Sequence, residues 1–371
     1  MNGSSPHPPY RADHVGSLLR PAAVKRARAD LAAGRIDRER LREIENECIA
    51  AVVRKQRDLG LRACTDGELR RSWWHFDFLA GLDGVELTHG RKQIRFHGIE
   101  TKSENIAVTG RVRFSSHPML ADFAYLHEVA GTAAKLTLPG PPVLHFRGGR
   151  ESIDSEVYPD LDAFFEDTTA AYRKVLAAFY DAGCRYLQFD DTVWGYLCSE
   201  KERAESRARG DDPGRLPAIY ADMINRVLAD KPPDMFVTTH VCRGNFRSSW
   251  ISEGGYEPVA ETLLAGIDYD GYFLEYDTER AGGFEPLRFL PKGRKRVVLG
   301  LVTTKSGRLE SAAAIARRID EAARFAPLEQ LCVSPQCGFA STEEGNLLTE
   351  DEQWRKLELV VDVARRVWAD A

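Results

Sequence analysis

Short apolar, β-branched runs that end in polar or glycine-rich turns recur along the chain. The clearest are Arg185–Asp191, Met235–Cys242, Gly271–Asp277, Val297–Thr303 and Leu331–Cys337. Each has the length and bounded apolar character of a buried strand. Weaker runs at Ala12–Ser17, Arg62–Asp66 and Lys135–Leu138 precede them. Between the runs lie amphipathic stretches. In Arg38–Leu59 the positions Leu41, Ile44, Cys48, Val52 and Leu59 follow a helical period. Leu161–Ala182 repeats the pattern, with Asp160 as N-cap and Gly183 at its C-terminal end. Ile219–Leu228, Pro258–Leu264, Leu309–Arg324 and Trp354–Trp368 continue it. Strand followed by helix, about eight times over, predicts an α/β fold of the TIM (β/α)8 barrel type, one domain over residues 1–371. A doubly wound sheet is the alternative, but no Gly-X-Gly-X-X-Gly fingerprint follows a strand.

One stretch breaks the rhythm. Leu82–Phe114 contains strand-like pieces and predicts a β-hairpin insertion after the second strand. The charged stretch Lys201–Asp212 reads as a solvated helix and loop, or as a lid.

Composition narrows the class. With 43% hydrophobic and 29% charged residues the chain is an ordinary globular one. A net charge of −5 argues against a nucleic-acid partner. No apolar run approaches the ~20 residues that span a bilayer. The opening residues MNGSSPHPPY lack the apolar segment of a signal peptide, so the expected location is cytoplasmic. The pattern is compatible with a homo-oligomer. Seven cysteines in such a chain do not suggest a disulfide framework. Cys48, Cys64, Cys184, Cys198 and Cys332 sit in or beside apolar stretches and read as small core residues. Cys242 and Cys337 instead follow strand-like runs and enter polar turns.

Barrel enzymes place chemistry at the C-terminal ends of their strands. There this sequence has His240 and Cys242, two residues apart and so on one face of a strand, with Glu275 and Cys337 at the ends of later strands. Two thiolates, an imidazole and a carboxylate make a plausible zinc set. Ligands so far apart in sequence point to a catalytic metal held by the fold, not to a zinc finger.

The segments HisValCysArgGlyAsn at 240–245, PheLeuGluTyrAsp at 273–277 and SerProGlnCysGlyPhe at 334–339 resemble the zinc site of cobalamin-independent methionine synthases, specifically their C-terminal catalytic barrel. HisValGlySerLeuLeuArgPro at 14–21, AspGlyGluLeuArgArgSerTrpTrp at 66–74 and LeuGlnPheAspAsp at 187–191 extend the resemblance over nearly the whole chain. It implies a zinc ion (Zn2+) on His240, Cys242, Glu275 and Cys337, with a substrate thiol joining the metal. It also implies that the amino-acid end of homocysteine is held by Val15, Gly16 and Ser17 together with Glu68 and Asp190. The chemistry is consistent: a thiol of pKa about 8.5 becomes a positioned thiolate when zinc binds it, and carboxylates pair with an ammonium.

The chain departs from the family in several places. Full-length members carry two barrels, and this chain has room for one. That leaves the methyl donor open among methyl-folate, a methyl-corrinoid protein and a small methyl compound. Asp190 is followed by Asp191, Thr192 and Val193, and Lys305 stands where the family has a histidine that assists proton transfer. Asp191 and Lys305 are the candidate proton donors. Trp73, Trp74, His75, Phe76 and Phe78 can wall a flat or apolar donor, and Trp194 can line the mouth.

The expected activity is a zinc-dependent S-methyltransferase that acts on the thiolate of homocysteine, or a close analogue, to give methionine. The alternative is a zinc-dependent alkyltransferase that opens an epoxide with a thiol such as coenzyme M. A sulfonate thiol would favour basic contacts, and Arg20, Arg70, Arg71 and Arg243 lie near candidate loops. A non-catalytic zinc- or thiol-binding barrel is the third reading.

Overall fold

The computed structural model describes residues 7–89, 95–96, 99–100 and 104–371. In chain order the strands begin with β1 (Ala63–Cys64). A lateral group follows, β2 (Asp83–His89), β3 (Arg95–Phe96), β4 (Ile99–Glu100) and β5 (Glu104–Arg113). The chain then returns with β6 (Ala133–Pro139), β7 (Tyr186–Asp190), β8 (Phe236–Val241), β9 (Gly271–Glu275), β10 (Arg296–Val302) and β11 (Leu331–Pro335). Strands β1 and β6 to β11 form one seven-stranded sheet in sequence order, parallel throughout. Helices fill the connections, as parallel crossovers require.

The two edges of this curled sheet are joined by the segment that the sequence marks as its first strand. Ala12 pairs in parallel with Val333, and Leu18 N–H donates to the Gly67 carbonyl at 2.9 Å. The segment forms a bridge and not a regular strand, because side chains take its backbone groups. Gln188 Nε2 donates to the Val15 carbonyl at 2.7 Å and Thr65 Oγ1 to the Gly16 carbonyl at 2.6 Å. Gly16 has φ +146° and lies so close to Thr137 that a Cβ would reach within 2.6 Å of its methyl group. The barrel reading therefore holds with seven regular strands and one irregular closing segment.

Alternation along the strands sorts the core into two parts. Leu187, Phe189, Val237, Leu299 and Val333 belong to the main hydrophobic cluster under the helices. Phe273, Val298 and Cys332 form a separate small cluster with Val15, which fills the barrel interior. Lys135 shares that interior, its Nζ 3.9 Å from the Phe273 ring centroid and 3.1 Å from Asp13 Oδ1.

The helical periodicities correspond to Arg38–Leu59, Leu161–Asp181, Leu216–Leu228, Ala312–Ala322 and Glu350–Val367. Asp37 and Asp160 accept from the Arg40 and Ala163 amides, which satisfies first-turn donors. Pro258–Leu264 shortens to one wide turn at Glu261–Ala265. Lys201–Asp212 contributes most of a charged helix, Glu200–Ala208. Between β1 and β6, β2 pairs antiparallel with β5 and β3 with β4. Val85, Ile106 and Val108 anchor this unit in the main core. Residues 90–94, 97–98 and 101–103 of the expected hairpin lie outside the described residues. No helix among the described residues is long and apolar enough to cross a membrane.

Candidate functional site

Register brings the chemistry together. Asp190 ends β7 opposite His240 on β8, and Glu275 ends β9 opposite Gly300 on β10. Cys242 and Cys337 lie just past the ends of β8 and β11. The ligand atoms of His240, Cys242, Glu275 and Cys337 all fall within 4.8 Å of one another, and all four residues are buried. The two sulfurs are 3.5 Å apart, well beyond a disulfide bond of about 2.05 Å.

Their surroundings suit a cation. Neither ring nitrogen of His240 has a hydrogen-bond partner among the described residues. Burial, and then Lys135, lower its pKa to about 3, so the imidazole is neutral and free to ligate. The hydrogen bond to Cys242 and burial push the Cys337 thiol well above its ordinary range. Burial also raises Glu275. A bound divalent cation would offset both costs and release the protons. Two sulfurs, one nitrogen and one oxygen fit zinc and fit poorly to magnesium or calcium.

The supporting shell is built from the turns themselves. Arg243 N–H donates to Glu275 Oε1 at 2.8 Å and Gly244 N–H to Cys242 Sγ at 3.2 Å. Asn245 Nδ2 donates to the Gly338 carbonyl at 2.7 Å, tying the two cysteine turns together. A Cβ on Gly338 would collide with Ser17 Oγ, so a side chain after Cys337 would require Ser17 to turn aside. Lys305 Nζ donates to the Gly244 carbonyl (3.1 Å), Asn245 Oδ1 (3.3 Å) and the Ser249 carbonyl (3.1 Å). These three contacts use all three of its N–H groups.

A cavity opens over the cluster. Glu68, Asp190, Val15, Ser17 and Trp73 line it together with His240, Cys242 and Cys337. Glu68 adopts φ +57°, an uncommon conformation for a residue with a side chain. Its Oε1 accepts from Thr137 Oγ1 at 2.9 Å, its Oε2 lies 3.7 Å from Arg71 Nη1, and Oε2 has no hydrogen-bond partner. Asp190 Oδ1 accepts from Gln188 Nε2 at 2.7 Å. Burial raises both carboxyls, and Glu68 raises Asp190 further. Two acids so placed gain from a cationic partner.

Asp191 and Trp194 lie outside this lining. Asp191 Oδ1 accepts from Val193 N–H at 3.0 Å and Oδ2 from Trp194 Nε1 at 3.1 Å, so Asp191 caps the helix Thr192–Leu197. Arg20, Arg70, Arg71 and Arg243 do not line the cavity either. Arg20 donates to the carbonyls of Ala340, Glu68 and Arg71. Arg70 pairs with Asp122 at 3.2 Å, Arg71 donates to the Thr137 carbonyl at 2.6 Å, and Arg243 packs over Tyr256 at 4.5 Å.

Sequence reasoning missed Arg147, Phe96 and Asn245, which also line the cavity. Arg147 follows the ProGlyProPro turn after β6, and that strand end was the available signal. Phe96 comes from the insertion and packs on Phe246 with ring centroids 5.2 Å apart. Phe246 in turn stacks on Trp73 at 5.9 Å.

The family model for the catalytic domain of cobalamin-independent synthase matches residues 11–366. The uncharacterized protein YxjH of Bacillus subtilis is 55% identical over 361 residues, 97% of this chain and 95% of its own. A methionine synthase of Pyrococcus abyssi is 23% identical over 327 residues, 88% of this chain and 85% of its own. A Listeria monocytogenes structure, assigned provisionally as a vitamin-B12 independent methionine synthase, superposes with a TM-score of 0.79. Its identity is 43%, covering 97% of this chain and 98% of that one. The chain thus belongs to the cobalamin-independent synthase family and carries its catalytic domain.

Proposed function

We propose that the protein is a zinc-dependent methyltransferase that converts homocysteine, or a close analogue, to methionine. The observation that carries this reading is the meeting, in one cavity, of the His240, Cys242, Glu275 and Cys337 donor set with the acidic pair Glu68 and Asp190. When bound, a zinc ion supplies Lewis acidity that holds a substrate thiol as thiolate at neutral pH. The residues do the rest. Glu68 and Asp190 hold the substrate ammonium by charge-assisted hydrogen bonds. The turn Val15, Gly16 and Ser17 sits beside them at the position suited to the carboxylate. Trp73 and Trp74 wall the donor side and limit water. Lys305 holds the 244–249 turn, and with it the approach to Cys242, in place.

A hydrolytic role is less well supported, because sulfur-rich donor sets are uncommon among zinc hydrolases. A sulfonate thiol such as coenzyme M is disfavoured by the acidic pair, which would repel it. The test is incubation of the zinc-loaded protein with homocysteine and, separately, methyl-folate, a methyl-corrinoid or small methyl compounds. Mass spectrometry should detect methionine with at least one donor. Its absence with all of them contradicts the proposal.

A further inference from the structure

Side chains, not a strand ladder, hold the backbone of the closing segment. Three successive carbonyls are taken this way: His14 by Lys135 Nζ at 2.6 Å, Val15 by Gln188 Nε2 at 2.7 Å and Gly16 by Thr65 Oγ1 at 2.6 Å. Lys135 spends a further contact on Asp13. Gln188 spends its second N–H on Asp190 Oδ1, also at 2.7 Å. One amide nitrogen therefore spans the Val15 turn and an acid of the cavity.

The fork fixes the orientation of the amide. Nε2 lies between two acceptors, and a flipped amide would set an oxygen against both. Oε1 is buried without a hydrogen-bond partner, so the amide is held from its nitrogen end. Gln188 is fully buried and does not line the cavity. It stands two residues before Asp190 on β7 and faces the same way, one layer deeper in the barrel. Its partner in register on β6 is Thr137, which donates to Glu68 Oε1. One layer thus supports both acids of the cavity from below.

We propose that Gln188 is a positioning residue that joins the two halves of amino-acid recognition. It sets Asp190 for the substrate's ammonium and the Val15–Ser17 turn for its carboxylate, without touching the substrate. This rests on the homocysteine reading of the cavity and adds a group behind the cavity wall. Loss of Gln188 strips the Val15 carbonyl and Asp190 Oδ1 of their shared donor at once. Two buried acceptors then face each other unpaired, and both ends of the substrate meet displaced partners.

The test is calorimetric, on zinc-loaded protein with four thiols. Homocysteine carries both charged groups, 3-aminopropanethiol the ammonium, 4-mercaptobutanoate the carboxylate and 1-propanethiol neither. Gln188→Met removes both donors at similar volume. It should weaken 3-aminopropanethiol and 4-mercaptobutanoate each by on the order of tenfold, the worth of a hydrogen bond to a charged group, and homocysteine by more. Binding of 1-propanethiol and zinc content should not change. Loss for all four thiols alike would make Gln188 a residue of the fold. Loss confined to ammonium-bearing or to carboxylate-bearing thiols would remove the joint role, and no loss would remove any role. Each of these overturns the inference. Should Gln188→Met lose zinc, Gln188→Glu decides: it keeps the shape and offers at most one O–H donor. It should weaken at least one singly charged thiol and spare 1-propanethiol, and equal binding to the wild type for all four overturns the inference. A wild type that binds homocysteine no better than 1-propanethiol overturns the amino-acid reading and this inference with it. A homocysteine preference left intact by the variants overturns the role of Gln188 alone. If the selective pattern holds and no methionine forms with any donor, the methyl-transfer proposal fails and the role of Gln188 stands.

Discussion

The sulfur atoms of Cys242 and Cys337 lie 3.5 Å apart although 95 residues separate them in sequence. That approach is made by two turns, one after β8 and one after β11, locked to each other through Asn245 and the Gly338 carbonyl. Two buried thiols so close, with a neutral imidazole and a carboxylate beside them, form a poor apolar core and a good soft-metal site.

Replacing either cysteine should therefore empty the metal site while leaving the barrel folded. Cys337→Ala is expected to lower zinc affinity by more than the roughly 10–100-fold typical of losing an outer-shell partner. Metal analysis after gel filtration, with circular dichroism as the control, checks this. Full zinc occupancy in Cys337→Ala would remove that residue from the ligand set.

Gly338 offers a test that touches no ligand. Gly338→Ala should push against Ser17 and displace the Cys337 turn, with loss of zinc. Pairing it with Ser17→Ala removes the nearest obstacle, so the double variant should regain part of the zinc lost by the single one. Equal loss in both would show that Ser17 is not what limits the position.

The acidic pair predicts a selective kinetic effect. Glu68→Gln and Asp190→Asn should each raise the KM for homocysteine by roughly 10–100-fold, the worth of a charge-assisted contact. Zinc content should stay constant. Binding of 3-mercaptopropionate, which has no ammonium, should change little or improve. A parallel loss for both thiols would mean that the pair serves the fold and not the amino group.

Burial lifts Asp191 from its ordinary 3.8 to about 7. Between those values the folded protein holds a proton that the unfolded chain has released. The stability Asp191 contributes is therefore present at low pH and lost as the pH rises through about 7. Asp191→Asn cannot titrate, so its Tm should vary less steeply than the wild type's between about pH 4 and 8. Identical slopes would contradict the assignment.

Lys305 gives two outcomes that a pH profile separates. With its three N–H groups on the 244–249 turn, Lys305→Met should lower kcat/KM by loosening the turn, with the profile unchanged in shape. Displacement of the basic limb would instead give Lys305 a role in proton transfer.

Much of this was legible in the sequence, for a physical reason. Parallel strands in a barrel deliver their last residues to one face, so His240, Cys242, Glu275 and Cys337 could be grouped from strand ends alone. The same alternation separates Asp190 from Asp191: consecutive residues face opposite ways, so one lines the cavity and the other caps a helix. Arg147 and Phe96 were not legible. They reach the cavity from a loop and an insertion whose placement depends on packing against Trp74, Tyr196 and Phe246. The closing segment at Ala12 was legible as extended chain, but not as a bridge whose carbonyls are claimed by Thr65 and Gln188.

The central claim is that a substrate thiol joins a metal held by His240, Cys242, Glu275 and Cys337. X-ray absorption at the zinc edge, with and without homocysteine, tests it most directly. Two sulfur scatterers at about 2.3 Å should become three when homocysteine is added, and selenohomocysteine should place a selenium in the first shell. A shell of two sulfurs unchanged by saturating homocysteine would contradict the account.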